Sequence, residues 1–144
     1  MWKRKQTIYM LAVVAFMTAM CFTPLARYMV DGNEGAFVAF DYWWFGGLVA
    51  LSALVPFVSI FLFKNRLAQI RLLVADVVLL LGAQGFALWY AIGFKNVAQA
   101  AGEVGVGYLC TPVIFPLICI LWVVMAIRAI WKDEMLVRSL NRIR

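Results

Sequence analysis

Residues 42–63 read YWWFGGLVALSALVPFVSIFLF, and the triplet KNR follows at 64–66. The stretch contains no charged side chain, and it is bounded by aromatic residues on one side and basic residues on the other. An α-helix of about 20 residues, at 1.5 Å per residue, crosses the ~30 Å hydrocarbon core of a bilayer. Aromatic rings favour the membrane interface, and Lys and Arg favour the cytoplasmic side. The stretch therefore predicts a transmembrane helix that ends in the cytoplasm.

Three further stretches have the same length and character, so the predicted spans are 6–26, 42–63, 70–94 and 108–130. Of the 144 residues, 66% are hydrophobic, whereas soluble domains have about 45–50%. What remains is short loops and a basic amphipathic tail at 131–144. The sequence predicts an all-α membrane protein, a bundle of four transmembrane helices that forms a single domain over residues 1–144.

The distribution of Lys and Arg orients the bundle, because cytoplasmic loops carry an excess of them. Two of the 13 basic residues, Arg27 and Lys95, fall on one side. The other 11 collect on the opposite side: Lys3, Arg4, Lys5, Lys64, Arg66, Arg71, Arg128, Lys132, Arg138, Arg142 and Arg144. This asymmetry predicts that both termini are cytoplasmic. We interpret the net charge of +6 as attraction to anionic lipid headgroups, and we expect no nucleic-acid partner.

Small residues four positions apart let transmembrane helices approach closely. Three pairs have this spacing: Ala15 and Ala19, Gly46 and Ala50, and Ala83 and Ala87. We expect them to form contacts inside the bundle, with self-dimerisation as the alternative.

Asp76 is the sharpest candidate for chemistry within the spans, because an ionisable group in a membrane is costly and marks a partner or a function. Arg128 lies at a similar predicted depth in the fourth span. The sequence predicts a structural intramembrane pair between Asp76 and Arg128. The functional alternative makes Asp76 the proton or cation site of a small transporter.

Absent residue types exclude several classes of site. The chain has no histidine, which excludes a bis-histidine haem and a zinc–histidine site. Its three cysteines contain no Cys-x-x-Cys pair, which argues against a quinone-linked disulfide oxidase. No phosphate-binding loop or nucleophile elbow is present. The sequence predicts a protein that is not an enzyme and has no cofactor and no metal site.

The C-terminal tail is the second candidate for function. Leu136, Leu140 and Ile143 share one helical face, among basic residues. A basic amphipathic segment suits the membrane surface or a partner helix. The alternative is a charged stop that only anchors the orientation. The sequence leaves open whether the tail continues the fourth helix or lies along the membrane surface.

Three polar stretches together resemble one family. They are RKQTIY at 4–9, FKNRLAQIRL at 63–72 and RAIWKDEMLVRS at 128–139. In order and spacing the chain resembles a bacterial family of four-span membrane proteins known as domain of unknown function 4293. The resemblance implies the topology and a location in a bacterial inner membrane, but no mechanism. The family pattern more often has asparagine at the position of Asp76, which implies a hydrogen-bonding role for this side chain.

Because all three stretches fall on the predicted cytoplasmic side, we expect a protein that works by binding. The predicted function is an accessory or assembly subunit of a larger membrane protein complex. Arg71 and Arg138 would engage acidic partner groups or lipid phosphates, while Asp133 and Glu134 would pair with the middle loop. The predicted contact surface comprises Lys64, Asn65, Arg66, Gln69, Arg71, Lys132, Asp133, Glu134, Arg138 and Ser139.

Overall fold

The computed structural model of the chain describes residues 2–30, 33–62, 64–100, 108–109 and 111–143, and long helices account for most of them. The helices are α1 (Trp2–Phe22), α2 (Trp43–Phe61), α3 (Arg66–Ala100) and α4 (Phe115–Arg142). Each is long and apolar enough to cross a membrane. The prediction of four apolar helices of membrane-spanning length is therefore confirmed. Arg144, one of the basic residues on the predicted cytoplasmic side, lies outside the described residues.

The last helix begins later than predicted, and its other end answers the question that the sequence left open about the tail. A 3₁₀ turn at Thr111–Ile114 precedes it, and α4 begins only at Phe115. Pro116 therefore falls in the first turn of the helix, where its missing N–H would have no intrahelical partner. At the other end α4 runs without interruption to Arg142. The tail thus continues the fourth span as one helix.

Each helix buries a stripe of residues spaced alternately by three and four positions. This spacing keeps one face of a helix toward its neighbours in a bundle. The stripe on α4 consists of Pro116, Cys119, Val123, Ala126 and Ile130. The corresponding residues are Met10, Val13, Met17 and Met20 on α1, Phe45, Val49, Ser52, Pro56 and Ser59 on α2, and Leu73, Asp76, Leu80, Ala83 and Ala87 on α3.

The order of the helices around the bundle follows the chain. Helix α1 packs against α2 and α4, and α3 packs against the same two helices. The outer faces carry large apolar side chains such as Leu54, Val78 and Leu121, whose exposed fractions are 57%, 65% and 62%. The interior contains small or polar residues such as Ser52 and Ala83. This distribution suits helices that pack in lipid, where apolar outer faces are solvated by the acyl chains.

The small residues have different roles in different helices. Ala83 and Ala87 are buried, as predicted for bundle contacts. Ala15 and Ala19 are exposed, so the prediction is wrong for α1. Their positions are out of phase with the buried stripe on that helix, which the four-residue spacing alone did not reveal.

The end of the bundle opposite the α2–α3 connection carries a small antiparallel sheet, where the sequence predicted only short loops. Strands β1 (Pro24–Val30) and β2 (Asn33–Val38) form a hairpin, and β3 (Tyr108–Leu109) pairs with the other edge of β1. Arg27 pairs with Ala36 on one side and with Tyr108 on the other. The sheet thus joins the connection after α1 to the one before α4.

Candidate functional site at the basic end of the bundle

The α2–α3 connection and the last turns of α4 meet at one end of the bundle, which we call the basic end (residues 59–71 and 131–142). The connection is a tight turn in which the Leu62 N–H donates to the Ser59 carbonyl at 3.2 Å. The Asn65 N–H then donates to the Leu62 carbonyl at 3.0 Å. Because these bonds fix the turn, they set the direction in which α3 leaves it.

Arg66, at the start of α3, ties that helix to α4. Its Nη2 lies 3.6 Å from Asp133 Oδ2, and its Nη1 lies 3.6 Å from Glu134 Oε2. Arg138 Nε donates to the other oxygen of Glu134 at 3.2 Å. The prediction that Asp133 and Glu134 pair with the middle loop is confirmed. Two acids and two arginines thus form one network, which we call the Arg66 clamp (Arg66, Asp133, Glu134 and Arg138).

Gln69 lies inside the bundle, so its predicted place on the contact surface is wrong. Its side chain is buried, and Nε2 donates to the Ser59 carbonyl at 3.1 Å. The same nitrogen lies 3.7 Å from Met10 Sδ. Gln69 therefore caps a carbonyl in the last turn of α2 and joins three helices, which is a structural role.

Beyond Ile130, the last buried residue of α4, the helix continues as what we call the α4 extension (residues 131–142). Its large apolar side chains are uncovered: Met135 is 64% exposed and Leu140 is 66% exposed. Ser139 lies on the same segment, and its hydroxyl donates to the Leu136 carbonyl at 2.7 Å. The helix itself therefore satisfies the hydroxyl, while its apolar face has no covering within the described chain.

The remaining predicted contact residues lie on the surface of the basic end. Lys64, Asn65, Arg71 and Lys132 are exposed. Exposed Lys and Arg side chains can bind carboxylates or phosphates through charge-assisted hydrogen bonds. In the described part of the chain, no group of three or more Cys, Asp or Glu side chains is placed to hold a metal ion. The chemistry offered by this surface is binding of anionic groups.

The predicted pair between Asp76 and Arg128 is not formed. Asp76 is 0% exposed, on the stripe of α3 that faces the interior, and neither carboxylate oxygen has a hydrogen-bond partner. Arg128 is exposed on the outside of α4. It follows the buried Ala126 by two residues, a rotation of about 200° around the helix axis. Although the two residues lie at a similar depth, their side chains are on surfaces that do not face each other. The hydrogen-bonding role that the family resemblance implied for Asp76 is not observed either.

Comparison with known proteins places these features in a family. No curated protein and no solved structure matches the chain. The sequence profile described as Domain of unknown function (DUF4293) matches residues 2–143. The matched range includes all four helices, the Arg66 clamp and the α4 extension. The chain therefore belongs to the DUF4293 family.

Proposed function

We propose that this protein is a non-enzymatic accessory or assembly subunit that binds another membrane protein through its basic end. The α4 extension carries the proposal, because it presents Met135, Leu136 and Leu140 uncovered on a segment of about 18 Å beyond Ile130. Uncovered apolar faces of this kind commonly mark interaction sites. A helix that lies on the membrane surface would have to bend away from its span, whereas α4 is continuous.

The charges of the basic end also support a partner with an acidic surface. Asp133 and Glu134 are engaged within the chain by the Arg66 clamp. Lys64, Arg71 and Arg142 form no ion pair within the described residues. Their positive charge is therefore available for acidic side chains of a partner or for the phosphates of anionic lipid headgroups.

Reversal of charge at Arg138 should abolish partner binding. We expect Arg138→Glu to reduce by at least about tenfold the amount of a stoichiometric partner that co-purifies after gentle native extraction, since charge reversal at an interface costs more than about 1.4 kcal/mol. Arg27→Glu is the matched control, because Arg27 is also exposed but lies in the sheet at the opposite end. An unchanged complex with Arg138→Glu, or a chain that migrates only as a monomer or homo-oligomer, would contradict the proposal.

We also propose that the basic end faces the cytoplasm of a bacterial cell and that the protein resides in the inner membrane. The excess of Lys and Arg at this end supports the orientation. A fluorescent protein that folds only in the cytoplasm, fused at the C-terminus, should fluoresce; fusion to a periplasmic reporter should give no activity.

A second candidate function, a small proton- or cation-coupled transporter, is favoured by the unpaired carboxylate of Asp76. Ionisable residues buried in membrane bundles often mark ion pathways. The transporter predicts ion flux in proteoliposomes of the purified chain that is lost in Asp76→Asn. Flux that is absent from the native chain, or equal in the variant, would contradict this function.

A further inference from the structure

Asp76 introduces a free-energy cost that no contact within the described chain offsets. It is 0% exposed between Leu73 and Leu80, and both carboxylate oxygens lack a hydrogen-bond partner. An ionisable side chain within a membrane span is costly, and an unpaired buried charge tends to be neutralised. A buried carboxylate that has this cost and no hydrogen-bond partner is a candidate for function.

The other buried polar side chains of the interior lie mainly between Asp76 and the basic end. Gln6, Ser59 and Gln69 have exposed fractions of 9%, 0% and 6%. Gln69 precedes Asp76 by seven residues on the same stripe of α3, which corresponds to about 10 Å. Gln6 Nε2 and Ser59 Oγ also lack hydrogen-bond partners. Buried groups of this kind are commonly bridged by internal water, so they provide a polar route from the basic end toward Asp76.

Toward the sheet, the interior of the bundle is mostly apolar. The stripe of α3 continues beyond Asp76 with Leu80, Ala83 and Ala87. The facing residues at this end are Met17 and Met20 on α1 and Phe45 and Val49 on α2. Among the described residues, the buried side-chain atom without a hydrogen-bond partner on this side is Gln84 Oε1. It lies about 12 Å beyond Asp76 along α3, with Leu80 and Ala83 between them in the sequence. More polar side chains therefore lead to Asp76 from the basic end than from the sheet end.

We propose that Asp76 is a proton-binding site that exchanges protons with the aqueous phase at the basic end alone. In this step a hydronium ion gives up one proton, an O–H bond forms on a carboxylate oxygen of Asp76, and a neutral carboxylic acid results. A metal cation would require several oxygen ligands, whereas the described residues contain no group of three or more acidic or thiol side chains placed to bind a metal. A single carboxylate is sufficient for a proton.

The ionisable side chains around this site are tyrosines and cysteines in the interior and an arginine at the end of the bundle. Those that pack into the interior are Tyr9 and Cys21 of α1, Tyr90 of α3 and Cys119 of α4; the last lies with its thiol 4.0 Å from the Val13 carbonyl. Arg66 precedes Asp76 by ten residues, or about 15 Å along α3, and is engaged in its clamp. The proposed site is independent of partner binding, and it would make the transporter, the second candidate function, specific for protons.

The proposal can be tested with dicyclohexylcarbodiimide, an apolar reagent that adds to a protonated carboxyl group. The full chain is reconstituted in proteoliposomes whose internal and external pH are set separately, with the orientation determined by protease digestion. We expect one adduct on the peptide that contains Asp76, detected by mass spectrometry. Its rate of formation should fall as the pH rises on the side that faces the basic end, and it should not respond to pH on the other side.

Variants separate the site from general reactivity. Asp76→Asn should lose the adduct and Asp76→Glu should keep it. Asp41→Asn, which changes an exposed carboxylate in the 3₁₀ turn at the sheet end, should have no effect on it. No adduct on the native chain, an equal adduct on Asp76→Asn, or a rate that follows the pH at the sheet end would overturn the proposal. Labelling without proton flux would support the binding site and contradict only the transporter.

Discussion

Replacement of Gly46 by leucine is expected to destabilise the bundle by about 1–3 kcal/mol or more, because extra atoms in a close-packed site force the structure to shift. A Cβ at this position would lie 2.7 Å from Phe40 Cδ1 and 3.2 Å from both the Ala39 oxygen and Phe40 Cα. The Phe40 ring is half exposed and can rotate away. The two backbone atoms belong to the 3₁₀ turn at Ala39–Asp41 and cannot move without displacing it. The free energy of unfolding in detergent, from denaturant titration, measures the effect.

Gly47→Leu is the matched control for this prediction. Gly47 is the next residue on the same helix, and a Cβ there meets no atom within 4 Å. Both variants replace glycine by a better helix former, which should stabilise an open position by about 0.8–1 kcal/mol. We therefore expect opposite signs for the two changes. Equal stability of the two variants would show that the 3₁₀ turn does not pack against α2 at Gly46.

The sequence was sufficient to predict the four spans because length, apolar composition and flanking residues are local properties. The sheet depends on pairing between segments that are far apart in the chain, such as Arg27 with Tyr108. No local pattern reports that pairing. The dipeptide Asp31–Gly32, which lies between β1 and β2 in the sequence, is a common hairpin signal, and it was available to predict the first two strands.

The candidate site was predictable in composition but less so in geometry. The prediction for Asp133 and Glu134 succeeded because both acids directly follow a long span and face a basic connection. The predictions for Gln69 and Arg128 failed because depth was considered without rotation about the helix axis. Gln69 is in phase with Leu73, Asp76 and Leu80 and is therefore interior. If the three-and-four spacing of the buried stripe is extended to the ends of the helices, it places Gln69 inside the bundle and Arg128 outside it.

Under the proposed function, partner binding and bundle stability depend partly on the same residues, those of the Arg66 clamp. It holds the first turn of α3 against α4 immediately before the uncovered part of the α4 extension. Because the clamp engages both acids, it leaves the extension with a basic surface. A change in Arg66 should thus alter both the position of the extension and the net charge presented to a partner.

Arg66→Glu should accordingly lower the free energy of unfolding by about 1–2 kcal/mol and reduce partner recovery. Exposed ion pairs are each worth about 0.2–1 kcal/mol, and a glutamate at this position would add repulsion from Asp133 and Glu134. Salt screens such interactions, so the loss of stability should decrease at high ionic strength. Denaturant titration at low and high salt measures the loss of stability and its dependence on salt. Co-purification after native extraction measures partner recovery.

The reciprocal change provides the decisive comparison, because Asp133→Arg combined with Arg66→Glu restores opposite charges across the clamp. We expect the double variant to be more stable than the sum of the single effects predicts, by roughly 1 kcal/mol in a double-mutant cycle. Arg71→Glu, an equal charge change at an exposed position without an ion pair among the described residues, should leave stability almost unchanged. Additive effects of the two substitutions would mean that Arg66 and Asp133 do not interact. Recovery of stability without recovery of the partner would mean that the partner recognises the arginine itself rather than the position of the α4 extension.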